Sequence, residues 1–181
     1  ELIAFSCKCR GVCPSCGAKR AVIFAEVLES EVLAPVPLRH IVWTLPKRIR
    51  AYFKYSRSLH SLIFESAWKT LEHFYGKQGT AGAVMSLQTS GEALNHQPHI
   101  HSIVADGVFD KSGNFNQLPV PDSAAMERYF AFSLLTKLEE KELLESDTVN
   151  SILEQYHTGF GVWFGQIVAP TDRSQRLFLS R

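Results

Sequence analysis

The 181-residue chain is 45% apolar with a net charge of +1, which excludes a disordered or collagen-like chain and leaves one domain with a small appendage. No window approaches the roughly 18–20 uninterrupted apolar residues of a membrane span, so no membrane partner is expected. No secretory signal is visible, and a first residue of Glu1 rather than Met reads as a fragment.

Charge is distributed unevenly. The first 60 residues carry ten Lys/Arg against four Asp/Glu, and the remainder nine against fourteen. A basic first third suits an anionic partner such as nucleic acid. The head, ELIAFSCKCRGVCPSCGAKR, holds all four cysteines: Cys7, Cys9, Cys13 and Cys16. They are too close together to staple a domain by disulfides, and read as metal ligands. Apolar residues Val22, Ile23, Ala25, Val27 and Leu28 then predict a helix from Ala21 to about Leu33, stopped by Pro35 and Pro37.

His40–Leu45 is short, β-branched and aromatic between two prolines, and predicts a strand. Pro46 suits a helix start, and helical spacing runs from Arg48 to Phe74. Strands are expected over Ala83–Thr89 and His99–Ala105, the second ended by Asp106-Gly107. A hairpin tip is expected at Lys111–Asn114. Helices follow from about Ala124 to Leu144, behind a capping Asp122-Ser123, and from Ser146 to Tyr156. The last strand is expected over Gly159–Val168, with a terminal helix from Asp172. The sum is an α+β fold, a roughly four-stranded antiparallel sheet with helices packed on it.

Three stretches carry chemistry. Alternate residues of a strand share a face, so His99 and His101 project together while Ile100 faces away. Two imidazoles so placed can hold one divalent ion; spacing alone leaves zinc, manganese and magnesium open. Gln88, near the end of the preceding strand, offers an amide oxygen as a further ligand and is favoured over Asp106, which suits a turn. His96 reads as a loop residue. At the head, Cys13-x2-Cys16 has the spacing of a zinc knuckle, which Cys7 and Cys9 would complete. Finally, Lys47, Arg48, Arg50, Lys54 and Arg57, interleaved with Tyr52 and Tyr55, suit a phosphate backbone and stacked bases.

His99-Ile100-His101 is the His-hydrophobe-His motif of the HUH endonucleases. More closely, the chain resembles the transposases of the insertion sequence ninety-one family, which move by a rolling-circle-like route. The resemblance rests on FSCKCRGVCPSCGAKRA, LRHIVWTLPKRIR, LQTSGEALNHQPHIHSIVADG and HTGFGVWFG, in that order. It implies a ferredoxin- or RRM-like HUH palm over residues 35–181 and a partial zinc head with linker helix over 1–34. It implies Zn2+ at the cysteines and Mg2+ or Mn2+ at His99 and His101. The implied activity is nicking and rejoining of single-stranded DNA at transposon ends, in a cytoplasmic, nucleoid-associated bacterial protein.

In this family a tyrosine attacks the phosphate from a Tyr-x3-Tyr pair after the last strand. Phe178 occupies the first tyrosine's place, and the second is expected beyond Arg181. Two other readings stand beside this one. The first is a non-catalytic, zinc-containing DNA-binding module with structural histidines. The second is a metal-dependent phosphoesterase that uses water.

Overall fold

The computed structural model describes residues 13–91, 95–155 and 157–180. These form two compact units, residues 13–36 with 168–180, and Pro37–Ile167.

In the first unit, α1 (Pro14–Val27) begins earlier than the apolar pattern predicts, because Cys13 is its N-cap and Pro14 opens its first turn. A π-helical turn (Leu28–Val32) continues it. Helix α6 (Arg173–Leu179) is capped by Asp172, whose carboxylate accepts from Gln175 N. Arg176 of α6 is buried, and its guanidinium donates to the carbonyls of Leu33, Ala34 and Val36 and to Glu29. One charged side chain thus satisfies carbonyls left over where the first helix ends.

The second unit is built on a four-stranded antiparallel sheet, ordered β2 (Ala83–Ser90), β3 (His96–Ala105), β1 (Leu38–Thr44), β6 (Gly161–Val168). Its helices are α2 (Lys47–Tyr55), α3 (His60–Tyr75), α4 (Ser123–Glu140) and α5 (Ser146–Leu153). The helix expected over Arg48–Phe74 is broken in two. Ser56 turns extended (φ −129°, ψ 100°), and a 3₁₀ turn at Arg57–Leu59 leads into α3. The break is stabilised locally, because His60 Nε2 donates to the Phe53 carbonyl (3.0 Å), which α2 leaves unpaired. The apolar spacing continues through it, so Phe53, Leu59 and Leu62 all still reach the core.

Ile41, Trp43, Ile100 and Val104 form one face of the sheet, fully or nearly fully buried. They pack with Leu62, Ile63, Ala67 and Leu71 of α3 and with Met126, Phe130, Leu134 and Leu135 of α4. Trp43 meets Phe130 edge-on at 5.2 Å and donates its indole N–H to Ser102 Oγ (2.7 Å). Truncating an aromatic side chain in such a core costs about 3–5 kcal/mol. A short hairpin, β4 (Gly107–Phe109) and β5 (Phe115–Gln117), follows β3; the Asp110 carboxylate holds its tip by accepting from Ser112 N and Asn114 N.

Because α3 and α4 cover that face, the alternate residues of each strand lie on the other. In register, His99 stands opposite Thr44 and Gln88, and His101 opposite Val42 and Ser86. The register shifts between Gln88 and Ser90, so β3 holds an extra residue before His99.

Candidate metal and nucleic-acid site

The alternation of β3 puts His99 and His101 on the face away from the helices, their ring centroids 4.9 Å apart. His99 Nδ1 lies 2.6 Å from the Gln97 carbonyl. A carbonyl only accepts, so Nδ1 carries the proton and Nε2 keeps a lone pair. Gln88 is exposed on the neighbouring strand directly opposite His99. Its amide is therefore on the same face.

His101 brings in a residue that sequence reasoning left without a role. Its Nδ1 lies 2.9 Å from Nε2 of His40 in β1, with the rings near-parallel at 5.1 Å. In the arrangement where His101 Nδ1–H donates and His40 accepts, His101 Nε2 is left as a lone-pair donor for an ion. Metal-binding imidazoles are commonly held this way by a second acceptor. Burial lowers the pKa of both His40 and His101, and for His101 the neighbouring His40 and His99 add to the effect. Both rings therefore stay neutral to lower pH than a free imidazole, as ligand and acceptor require.

Among the described residues, no group of three or more histidines, cysteines or carboxylates is arranged to hold an ion. His40 is turned to His101 instead. His99, His101 and Gln88 therefore bring two imidazoles and one amide to a single face of the sheet. Asp106 is not near enough in role to compete: it is buried, and accepts from Arg39 Nε at 2.7 Å and from Gln117 Nε2 at 3.0 Å. Arg39 in turn donates to the Gly165 carbonyl, joining β1 to β6.

The five basic residues separate by face. Lys47, Arg50 and Lys54, spaced i, i+3 and i+7 on α2, line a cleft of about 290 Å³ with Ala51, Asn95 and His96. Arg48 and Arg57 are exposed and do not line it. Arg50 is fixed by its Nε–H bond to the Leu45 carbonyl. His96 belongs to β3 rather than to a loop, and its Nε2 is buried with no hydrogen-bond partner. Desolvation first, and then Lys54 and His60, lower its pKa; the Arg50 main chain opposes this without closing a bond to Nε2. At the head, Cys13 caps α1 and Cys16 sits three residues on, both half-buried. Cys7 and Cys9 lie outside the described residues.

Comparison with known proteins matches two stretches. The "Transposase zinc-binding domain" family matches residues 1–45, and the "Putative transposase" family residues 82–170, which contain Gln88, His99 and His101. These put the chain in the class of transposases. It belongs to the insertion sequence ninety-one family, and carries that family's zinc-binding domain ahead of its transposase domain. The transposase for insertion sequence element IS801 of Pseudomonas savastanoi pv. phaseolicola is 33% identical over 125 residues, covering 68% of this chain and 30% of that protein. "Putative transposase y4qJ" of Sinorhizobium fredii (strain NBRC 101917 / NGR234) is 32% identical over 117 residues, covering 61% and 29%. The chain thus spans about three tenths of the length of the curated relatives it matches. No solved structure is significantly similar to it. Among the described residues no helix is long and apolar enough to cross a membrane.

Proposed function

We propose that the Pro37–Ile167 unit is the metal-and-phosphate site of an HUH transposase that nicks and rejoins single-stranded DNA. The observation that carries this is the pair of imidazoles on one strand face, each with Nδ1 engaged by a neighbour and Nε2 outside that contact. Mg2+ or Mn2+, when bound by His99, His101 and Gln88, supplies a Lewis acid at a phosphate oxygen. The chain's own contribution is to orient the two rings, His99 through the Gln97 carbonyl and His101 through His40. The basic face of α2 keeps a neighbouring stretch of backbone in place.

The attacking group in this reading is a tyrosine hydroxyl. The hydroxyl gives up its proton as its oxygen bonds to phosphorus and the P–O3′ bond breaks; the electron pair leaves on O3′, which takes up a proton, so none is gained or lost overall. The products are a 5′-phosphotyrosine and a free 3′-hydroxyl, so the bond energy is stored and the reaction reverses without a nucleotide cofactor. Phe178, at the first tyrosine's place, is 75% exposed and has no hydroxyl. The nucleophile is assigned to the second tyrosine of the pair, expected past Arg181. In the same reading residues 1–34 are a partial zinc head with its linker helix, Cys7, Cys9, Cys13 and Cys16 being the zinc ligands, and residues 35–181 the HUH domain.

The test is covalent capture. A chain extended past Arg181 to carry that tyrosine, incubated with single-stranded DNA and Mn2+, is expected to give an adduct stable on a denaturing gel. The adduct is expected to vanish with EDTA and in the His99→Ala, His101→Ala double variant. Its persistence in the double variant would overturn the metal assignment.

A further inference from the structure

Trp163 is a large aromatic side chain left 59% exposed in the middle of a strand, in a unit whose other two indoles, Trp43 and Trp68, are completely and partly buried. Its place explains why it is not in the core. β6 runs beside β1, with the Gly161 carbonyl near Thr44 Oγ1 and Gly165 beside His40. Trp163 therefore stands on the same face as His40 and His101, and its ring meets His40 edge-on at 5.9 Å.

The two residues flanking it on that face are glycines, and each is needed small. A Cβ at Gly161 would come 2.6 Å from Thr44 Oγ1. A Cβ at Gly165 would come 3.3 Å from both His40 and Cη2 of Trp163 itself. The indole therefore lies along the strand over a gap where any other residue would crowd it. One side of the ring is turned to Gly165 and the His40 edge, and the ring as a whole stays open to solvent.

Trp163 is the large exposed aromatic on a face it shares with imidazoles, glycines, Thr44, Val42 and the half-exposed Ile167, too few apolar groups to make a broad protein-docking patch. It is a flat π-surface beside polar groups, and single-stranded nucleic acids are held by such platforms. The distance is suitable too. β6 lies two strand spacings from β3, about 10 Å, so a base stacked on Trp163 belongs to a nucleotide next to the phosphate held at His99 and His101.

We propose that Trp163 is a base-stacking platform that holds one nucleobase of single-stranded DNA beside the histidine site; this rests on the single-strand DNA reading above. Stacking is tolerant of base identity, so the subsite fixes the strand's position rather than its sequence. The ring's edge contact with His40 also joins the stacked base to the residue that orients His101.

The experiment measures the affinity of the 181-residue chain for labelled single-stranded oligonucleotides at fixed salt, by fluorescence anisotropy. Trp163→Ala is expected to weaken binding about five- to tenfold, and Trp163→Phe less than about threefold. An abasic site walked along the oligonucleotide is expected to weaken wild-type binding at one position and to leave Trp163→Ala binding unchanged there. Equal affinities of wild type and Trp163→Ala would overturn the stacking platform while leaving single-strand binding standing. No single-strand binding by the wild type would overturn both. A loss in Trp163→Phe as large as in Trp163→Ala would also overturn it, since the phenyl ring still stacks.

Discussion

At His101 the two ring nitrogens have different neighbours, and that difference decides what the residue can do. Nδ1 is engaged by His40 at 2.9 Å, so the proton's place on the pair sets whether Nε2 is a lone pair. His40 is a positioning residue in this account, which gives it a distinct prediction. Loss of such an outer partner typically lowers metal affinity 10- to 100-fold. His40→Ala is expected to weaken Mn2+ binding by about tenfold or more, measured by titration calorimetry. His40→Asn, whose amide oxygen still accepts, is expected to recover part of it. Equal weakening in both variants would remove His40 from this role. The His99/His101 pair was legible from strand alternation alone. His40 was not, because its meeting with His101 depends on the register of β1 against β3, with Val42 opposite His101, and that pairing spans about 60 residues of chain.

Among the elements, α2 shows how one helix face is selected from a run of basic residues. Lys47, Arg50 and Lys54 share the cleft with Asn95 and His96, whereas Arg48 and Arg57 lie elsewhere. Each phosphate contact to single-stranded nucleic acid contributes about 0.7 to the slope of log affinity against log salt. The Lys47→Ala, Arg50→Ala, Lys54→Ala triple variant is therefore expected to lower that slope by about two units. Arg48→Ala with Arg57→Ala is expected to change it by less than half a unit. Equal slopes for the two variants would contradict a localised contact. The sequence suggested a basic, aromatic stretch but not its division, because the break at Ser56 does not interrupt the apolar spacing. What breaks the helix is a backbone excursion that His60 supports from the following helix. The start of α1 was hidden for the opposite reason: it is set by Pro14 in the first turn, after an extended Cys13, ahead of the apolar run.

At the scale of the whole sheet unit, the histidine face is kept in place by a buried polar network on the strands that carry it. Asp106, read from sequence as a turn residue, is the counter-ion of Arg39, and Arg39 reaches across to the Gly165 carbonyl. Asp-Gly chemistry predicted where β3 ends; it held no information about a partner 67 residues away. Burial pushes the nearby Tyr75 hydroxyl up from its ordinary value of 10.0 to about 12; the Asp106 charge adds to this and Arg39 opposes it. Because the folded pKa lies above the unfolded one, Tyr75 contributes stability that is complete below pH 10 and lost as pH rises toward 12. Tyr75→Phe is expected to flatten the loss of urea stability between those values, and an unchanged profile would place the alkaline transition elsewhere.

The central claim is that this face joins DNA to a tyrosine through a 5′-phosphate. The most direct measurement is the identity of the covalent product formed by the extended chain with Mn2+ and a single-stranded substrate labelled at both ends. The 3′ fragment is expected to stay on the protein as a phosphotyrosyl peptide, and the 5′ fragment to be released with a free 3′-hydroxyl. Release of both fragments, with a free 5′-phosphate and no labelled peptide at any time, would contradict it and identify water as the attacking group.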